Sequence, residues 1–260
     1  FSALGVVAGL IAGLLGVGGG VIIVPGLLLV FELVGIERWA MQLALGTSLA
    51  SICFTSLSSV RAHHRRGAVD WRIFSQLVPG VLAGSFGGAF VAARLPTLWL
   101  KLLFGAYLVV IGLRMLRQDD APETAAPRRS RYGVAGLGIG VLSALVGIGG
   151  GSLTIPLMLS RGESMRRAVG TSAAVGFPIA LAGASGYVVN GRHVTGLPEH
   201  SVGFVHLVAL LCLVVPSVLT APLGARLAHR LRTRSLRGIF ATFLLIVAGK
   251  MLFSTLTSLR

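Results

Sequence analysis

Two short glycine-rich stretches hold the residues whose types and spacing could bind a ligand. Residues 16–25 read GVGGGVIIVP, and residues 147–156 read GIGGGSLTIP. Glycine allows a tight turn and lets a ligand approach the backbone closely. Where such a turn precedes a helix, unpaired N–H groups and the positive end of the helix dipole favour an anion. The glycines that we predict to bind an anion are Gly18, Gly19, Gly20, Gly149, Gly150 and Gly151.

Hydroxyl side chains on a second duplicated pattern could complete this site. The pattern AxGTSxA occurs at residues 44–50 and again at residues 168–174. The second glycine stretch also carries two hydroxyls that the first lacks, on Ser152 and Thr154, and an asymmetric site would turn them toward the ligand. The predicted hydroxyl ligands are Thr47, Ser48, Ser152, Thr171 and Ser172. The predicted structural or hinge positions are Gly16, Pro25, Gly147 and Pro156. An alternative is that these small residues only let helices pack closely.

The composition predicts that these residues lie on membrane helices. The chain has 260 residues, 54% hydrophobic and 12% charged, and its mean hydropathy is +0.86. Soluble domains carry about twice that charge, and several uncharged apolar runs reach the length of a membrane span. The net charge of +15 does not indicate nucleic-acid binding, because the basic residues flank hydrophobic segments. The two cysteines lie inside apolar runs, so we expect no disulfide framework, metal site or cofactor.

The chain is a duplication of one membrane unit. We predict a first membrane repeat at residues 1–117, a linker at residues 118–131 and a second membrane repeat at residues 132–260. Each repeat has a glycine-broken segment followed by three ordinary spans. The fold class is therefore all-α integral membrane, with about 8 to 10 membrane segments. Each broken segment is predicted to be a re-entrant hairpin, which makes no net crossing of the membrane. If each segment crossed twice instead, the number of crossings per repeat would still be odd.

The distribution of basic residues predicts the orientation of the two repeats. If the broken segments make no net crossing, one side of the membrane receives most of the 23 Lys and Arg residues, among them Arg61, Arg128 and Arg230. This bias is expected of a cytoplasmic face. An odd number of crossings per repeat makes the repeats inverted, an arrangement found in many secondary transporters. We expect a cytoplasmic linker and a C-terminus on the outside.

Three other features carry weaker chemical signals. The glycines do not fit a dinucleotide fingerprint, since no strand, helix and acidic residue surround them in the required order. Ser185, in the sequence GASG, resembles the nucleophile of rhomboid intramembrane proteases, but the glycine spacing around their catalytic base is absent after His206. We therefore predict no catalytic residues and no enzyme. His206 is a candidate to carry a coupling proton, because a histidine pKa can lie near physiological pH.

The duplicated glycine and GTS motifs resemble the TauE/SafE family, sulfite and organosulfonate exporters of the 4-toluene sulfonate uptake permease group. The family motif falls on Gly16, Gly18, Gly19, Gly20 and Pro25, and on Gly147, Gly149, Gly150, Gly151 and Pro156. The resemblance covers nearly all of the chain. It implies a multi-pass protein of the bacterial inner membrane that moves sulfite, sulfoacetate, related organosulfonates or carboxylate anions. The inverted repeats predict that this movement occurs by alternating access. The resemblance also implies coupling to an ion gradient, with H⁺ and Na⁺ both open.

Two other functions stay open at this level. A membrane scaffold or accessory subunit without transport would use its glycines for packing alone. An anion channel would show no saturation or counterflow. Import, export and a homo-oligomer are all compatible with the sequence.

Overall fold

The fold consists almost entirely of helices. The structure, a computed structural model, describes residues 1–15, 19–117, 132–228 and 233–257. The helices of the first half are α1 (Ser2–Leu15), α2 (Gly20–Leu33), α3 (Ala40–Arg65), α4 (Trp71–Arg94) and α5 (Thr97–Arg117). Those of the second half are α6 (Tyr132–Val146), α7 (Gly151–Leu159), α8 (Met165–Gly191), α9 (Leu207–Ala228) and α10 (Thr233–Thr257). A short antiparallel ribbon, β1 (Ser201–Val202) and β2 (Val205–His206), precedes α9. The prediction of a mostly helical protein is confirmed, whereas the predicted linker, residues 118–131, lies outside the described residues.

Several helices have the length and apolar composition of membrane spans. Within the described ranges, four helices are long and apolar enough to cross a membrane, namely α3, α4, α5 and α8. Shorter apolar segments lie in α2, α6, α9 and α10. Large apolar side chains also cover the outside of the molecule: Leu219 is 70% exposed and Val134 is 74% exposed. So much exposed apolar surface is typical of a protein that faces lipid.

Each long apolar segment is broken at its glycines. Helix α1 ends at Leu15 and α2 begins at Gly20, while α6 ends at Val146 and α7 begins at Gly151. Gly147 and Gly150 have φ angles of +70° and +76°, a conformation that only glycine adopts at little cost. Pro25 lies inside α2 and Pro156 lies inside α7. The glycines with positive φ therefore separate α6 from α7, and in both segments a proline lies within the helix that follows the glycines.

The two halves interlock by exchanging their first helices. Helix α1 packs mainly on α9 of the second half, and α6 packs mainly on α4 of the first half. Two further contacts join matching helices, α3 with α8 and α5 with α10. Glycines make the exchange tight: a Cβ atom on Gly5 would lie 2.8 Å from the carbonyl oxygen of Cys212, and one on Gly136 would lie 2.7 Å from that of Leu77. Helix α2 then packs on α3, and α7 packs on α8.

Candidate functional site

The two glycine stretches meet in the structure. A Cβ atom on Gly20 would lie 2.6 Å from the carbonyl oxygen of Gly147 and 3.1 Å from the Cα of Ile148. The Ser48 hydroxyl donates a 2.8 Å hydrogen bond to the same Gly147 oxygen. Gly176 of α8 also approaches this point, since its Cβ would lie 3.0 Å from the Gly149 oxygen. We call this meeting point, formed by Gly19, Gly20 and residues 147–151, the glycine junction.

Two helix N-termini begin at the glycine junction. Gly19 caps α2, and its carbonyl oxygen accepts from the N–H groups of Ile22 and Ile23. Gly150 caps α7, and its carbonyl oxygen accepts from the N–H groups of Leu153 and Thr154. The N–H groups before these bonds have no acceptor within their own helix. Together with the helix dipoles they favour an anion.

The predicted glycine ligands are only partly described. Gly19, Gly20, Gly149, Gly150 and Gly151 lie together in the junction. Gly16 and Gly18 lie outside the described residues. Of the glycines of the first motif, the structure therefore describes Gly19 and Gly20.

Two buried hydroxyls near Gly150 lack hydrogen-bond partners. Ser143 is 1% exposed and Thr154 is 0% exposed, and neither hydroxyl has a partner within the described part of the chain. A Cβ atom on Gly150 would lie 3.5 Å from the Ser143 Oγ. Leaving a buried hydroxyl unpaired costs roughly 1–3 kcal/mol. Both hydroxyls therefore have unused hydrogen-bonding capacity next to the start of α7.

Ser143 was missed by the sequence analysis, although a signal for it exists. It is the one serine or threonine in α6, an otherwise apolar helix, and it lies four residues before Gly147. Thr154 was identified as a hydroxyl that could face the ligand, and it lies buried in α7, four residues after Gly150. A single hydroxyl residue in an apolar segment, one turn before a glycine motif, is the sequence pattern that indicates Ser143.

Ser152, in contrast, already has a partner. Its hydroxyl forms a hydrogen bond with the hydroxyl of Tyr107, which comes from α5. Tyr107 was also missed from sequence, because nothing in α5 distinguishes it before the fold brings it to α7. The pair links the start of α7 to a helix of the other half.

The GTS motifs split into two roles. Thr47 accepts a 3.0 Å hydrogen bond from the backbone N–H of His206, and Thr171 accepts a 2.9 Å hydrogen bond from that of Asp70. Each threonine therefore anchors the chain just before a helix of the other half, α9 for Thr47 and α4 for Thr171. The Ser48 hydroxyl donates to the glycine junction directly, and Ser172 is likewise buried among the described residues. Gly16, which corresponds to the Gly147 partner of Ser48, lies outside them.

His206 and Asp70 also begin their helices in the same way. The His206 Nδ1 accepts a 3.1 Å hydrogen bond from the Ala209 N–H, and the Asp70 Oδ1 accepts from the N–H groups of Arg72 and Ile73. Such side-chain acceptors cap the free N–H groups of a helix start.

The buried polar groups are nearly all uncharged. Among residues whose burial the structure describes, the buried polar side chains are serines, threonines, one glutamine and His206. An anion at the glycine junction would therefore be held by neutral donors and helix dipoles and not by a buried Arg or Lys. Such a site binds without a permanent ion pair that would have to be broken on release.

The protease-like sequence around Ser185 has a packing role. Ser185 is exposed, whereas Gly183 and Gly186 lie against the interior. A Cβ atom on Gly183 would lie 2.8 Å from Leu49, and one on Gly186 would lie 2.6 Å from Ala89. Within the described residues, Ser185 has no hydrogen bond to a histidine. These glycines bring α8 close to α3 and α4.

The family model and the curated relatives that match this chain both indicate a membrane transporter. The family model described as Sulfite exporter TauE/SafE matches residues 1–251. The chain is 33% identical over 251 residues to a probable membrane transporter protein of Haemophilus influenzae, covering 95% of each chain. It is 32% identical over 230 residues to the probable membrane transporter protein YdhB of Bacillus subtilis, covering 85% of this chain and 86% of the relative. No solved structure matches.

Proposed function

The chain belongs to the TauE/SafE family of sulfite exporters, a family of membrane transporters, and from this premise we propose which solute it carries and how. The proposed substrate is a small sulfur-containing or carboxylate anion, such as sulfite, sulfoacetate or a related organosulfonate. The observation that carries the proposal is the glycine junction, where two helix N-termini meet beside two buried hydroxyls that have no partner among the described residues. Such N-termini bind anionic substrate groups in transporters built on broken helices.

The proposed mechanism is alternating access around the junction. The exchange of α1 and α6 between the halves is the contact pattern expected when two repeats are related by a two-fold axis, and inverted repeats rock against each other in secondary transporters. The junction contains backbone from both halves, so relative movement of the halves would alter it. Neutral donors would replace the water around the anion and then release it.

Counterflow in proteoliposomes tests the substrate class. Vesicles preloaded with unlabelled sulfite, sulfoacetate or a related sulfonate should take up the labelled compound faster than empty vesicles, and uptake should saturate. Flux without saturation or counterflow would favour an anion channel. Absence of any flux across the panel, from protein that elutes as a folded species, would favour a scaffold or accessory subunit.

We propose an inner-membrane location with inverted repeats, the linker in the cytoplasm and the C-terminus in the periplasm. This orientation predicts opposite labelling of two matched positions, Arg66 at the end of α3 and Arg192 at the end of α8. With Cys53 and Cys212 replaced by alanine, Arg192→Cys should react with an impermeant maleimide in intact cells. Arg66→Cys should react only after permeabilisation. Labelling of both from the same side would contradict the inverted arrangement.

We also propose that His206 carries a proton when transport is coupled to H⁺; Na⁺ is the other candidate ion. His206→Asn keeps a good helix-capping side chain but removes the titratable group. It should retain substrate counterflow and lose accumulation driven by a pH gradient. His206→Ala should in addition lower the free energy of unfolding by about 1 kcal/mol, the usual effect of losing a cap.

Exposed His193, two residues beyond the end of α8, supplies the control for this test. His193→Asn should leave both kinds of transport unchanged. If His206→Asn still accumulates substrate in response to a pH gradient, His206 is a helix cap only and the coupling proton is carried elsewhere.

A further inference from the structure

A groove between α3, α4 and α8 lies apart from the glycine junction. It encloses a cavity of about 650 Å³. Its lining residues are Phe54, Leu57, Ser58, Val60, Arg61, His64, Trp71, Phe74, Ala174 and Phe177. Phe54, Leu57 and Trp71 are about half exposed, at 54%, 58% and 45%, so the groove opens on the outer surface of the helices. None of the predicted substrate ligands lines it.

The groove changes from apolar to polar along α3. Phe54 and Leu57 lie toward the middle of this apolar helix, while Arg61 and His64 lie in its last turns. At about 1.5 Å per residue, Arg61 is roughly 10 Å farther along the axis than Phe54. Phe177 of α8 adds to the apolar part. The groove is therefore apolar where it lies inside the span and carries a cation where the span ends. A lipid in one membrane leaflet has the same order, with its acyl chain inside and its headgroup at the surface.

Aromatic contacts shape the polar end. The Trp71 Nε1 donates a 3.3 Å hydrogen bond to the His64 Nδ1, and the two rings meet edge to face at 5.4 Å. Phe74 extends this aromatic wall, with its ring centroid 5.1 Å from that of Trp71. Because His64 accepts through Nδ1, its Nε2 is free to donate to a ligand. Tryptophan is enriched at the headgroup level of membranes.

The charge at this end favours an anionic ligand. Arg61 lines the groove, and the following turn adds exposed Arg65 and Arg66. The nearby carboxylate, Asp70, already accepts two backbone N–H groups at the start of α4. A soluble anion would not need the apolar part of the groove. We propose that the groove binds an anionic phospholipid, with the phosphate at Arg61 and His64 and an acyl chain between α3 and α8.

Brominated lipids test this proposal, because bromine on an acyl chain quenches nearby tryptophan fluorescence. The full chain and its Trp71→Phe variant are reconstituted in phosphatidylcholine bilayers with increasing amounts of brominated phosphatidylglycerol or brominated phosphatidylcholine. The difference between the two proteins isolates the Trp71 signal. Brominated phosphatidylglycerol should quench that signal at a mole fraction about fivefold lower than brominated phosphatidylcholine, the preference that one basic residue near the lipid surface supplies.

Matched arginine variants separate the groove from general surface charge. Arg61→Gln should abolish the preference, whereas Arg65→Gln, which removes an exposed charge from the same helix end outside the groove, should retain it. Equal quenching by both lipids, or equal loss in both variants, overturns the proposal. Displacement of the lipid by soluble benzenesulfonate also overturns it and assigns the groove to soluble anions. None of these outcomes depends on the proposed transport function.

Discussion

Replacing Gly20 by alanine should reduce transport about tenfold or more while the protein still inserts in the membrane. The added Cβ would lie 2.6 Å from the Gly147 carbonyl oxygen, which is backbone and has no rotamer to change. Gly20 is the first residue of α2, and alanine is a better helix former than glycine. The expected loss of transport therefore does not come from a weaker α2. It comes from the added methyl group pushing the two halves apart, because overpacking costs ~1–3 kcal/mol. Initial rates of counterflow, normalised to reconstituted protein, measure it.

Gly87→Ala is the matched control for this prediction. Gly87 lies within α4, and nothing is within 4 Å of the Cβ that alanine would add there. The control should transport at the rate of the unchanged protein and be equally or more stable. If Gly20→Ala also transports normally, close contact between the two glycine stretches plays no part in the transport cycle.

The glycine breaks were predictable from sequence because their cause is local. Three glycines in an apolar run weaken a helix wherever they stand, and positions such as Gly147 and Gly150 need a conformation that other residues adopt poorly. Duplication supplied a second, independent copy of the same signal. The mostly helical fold followed from the apolar composition for a similar reason.

The partners of the site residues were not predictable, because they depend on the packing of distant helices. Thr47 and His206 are 159 positions apart, and Thr171 and Asp70 are 101 apart. The sequence analysis assigned both threonines to an anion, whereas in the structure they accept hydrogen bonds from backbone. A repeated motif predicts that two sites are equivalent but does not predict what each side chain contacts.

The two halves of the site also differ in polarity. Ser143, Ser152 and Thr154 of the second half correspond to Ala12, Val21 and Ile23 of the first half. The duplicated backbone therefore provides two helix N-termini, while hydroxyl groups are concentrated at only one of them. We expect the anion to bind closer to the start of α7 than to that of α2.

Ser143→Ala should raise the substrate KM about tenfold without lowering stability. The Ser143 hydroxyl is buried and unpaired within the described part of the chain, so its removal should leave the free energy of unfolding unchanged or higher. A hydrogen bond to a charged ligand is worth ~1.5–3 kcal/mol, and ~1.4 kcal/mol corresponds to a factor of ten in affinity. Concentration dependence of counterflow gives KM, and thermal unfolding in detergent gives the stability.

Ser85→Ala separates this role from an ordinary structural one. The Ser85 hydroxyl is equally buried but donates a 2.7 Å hydrogen bond to the Ile179 carbonyl oxygen, joining α4 to α8. Its loss should lower stability by about 1 kcal/mol and leave KM unchanged. We therefore expect Ser143→Ala to change the substrate affinity and Ser85→Ala to change the stability. A Ser143→Ala protein with normal KM would remove this hydroxyl from the site and leave the backbone N–H groups of α7 as the anion ligands.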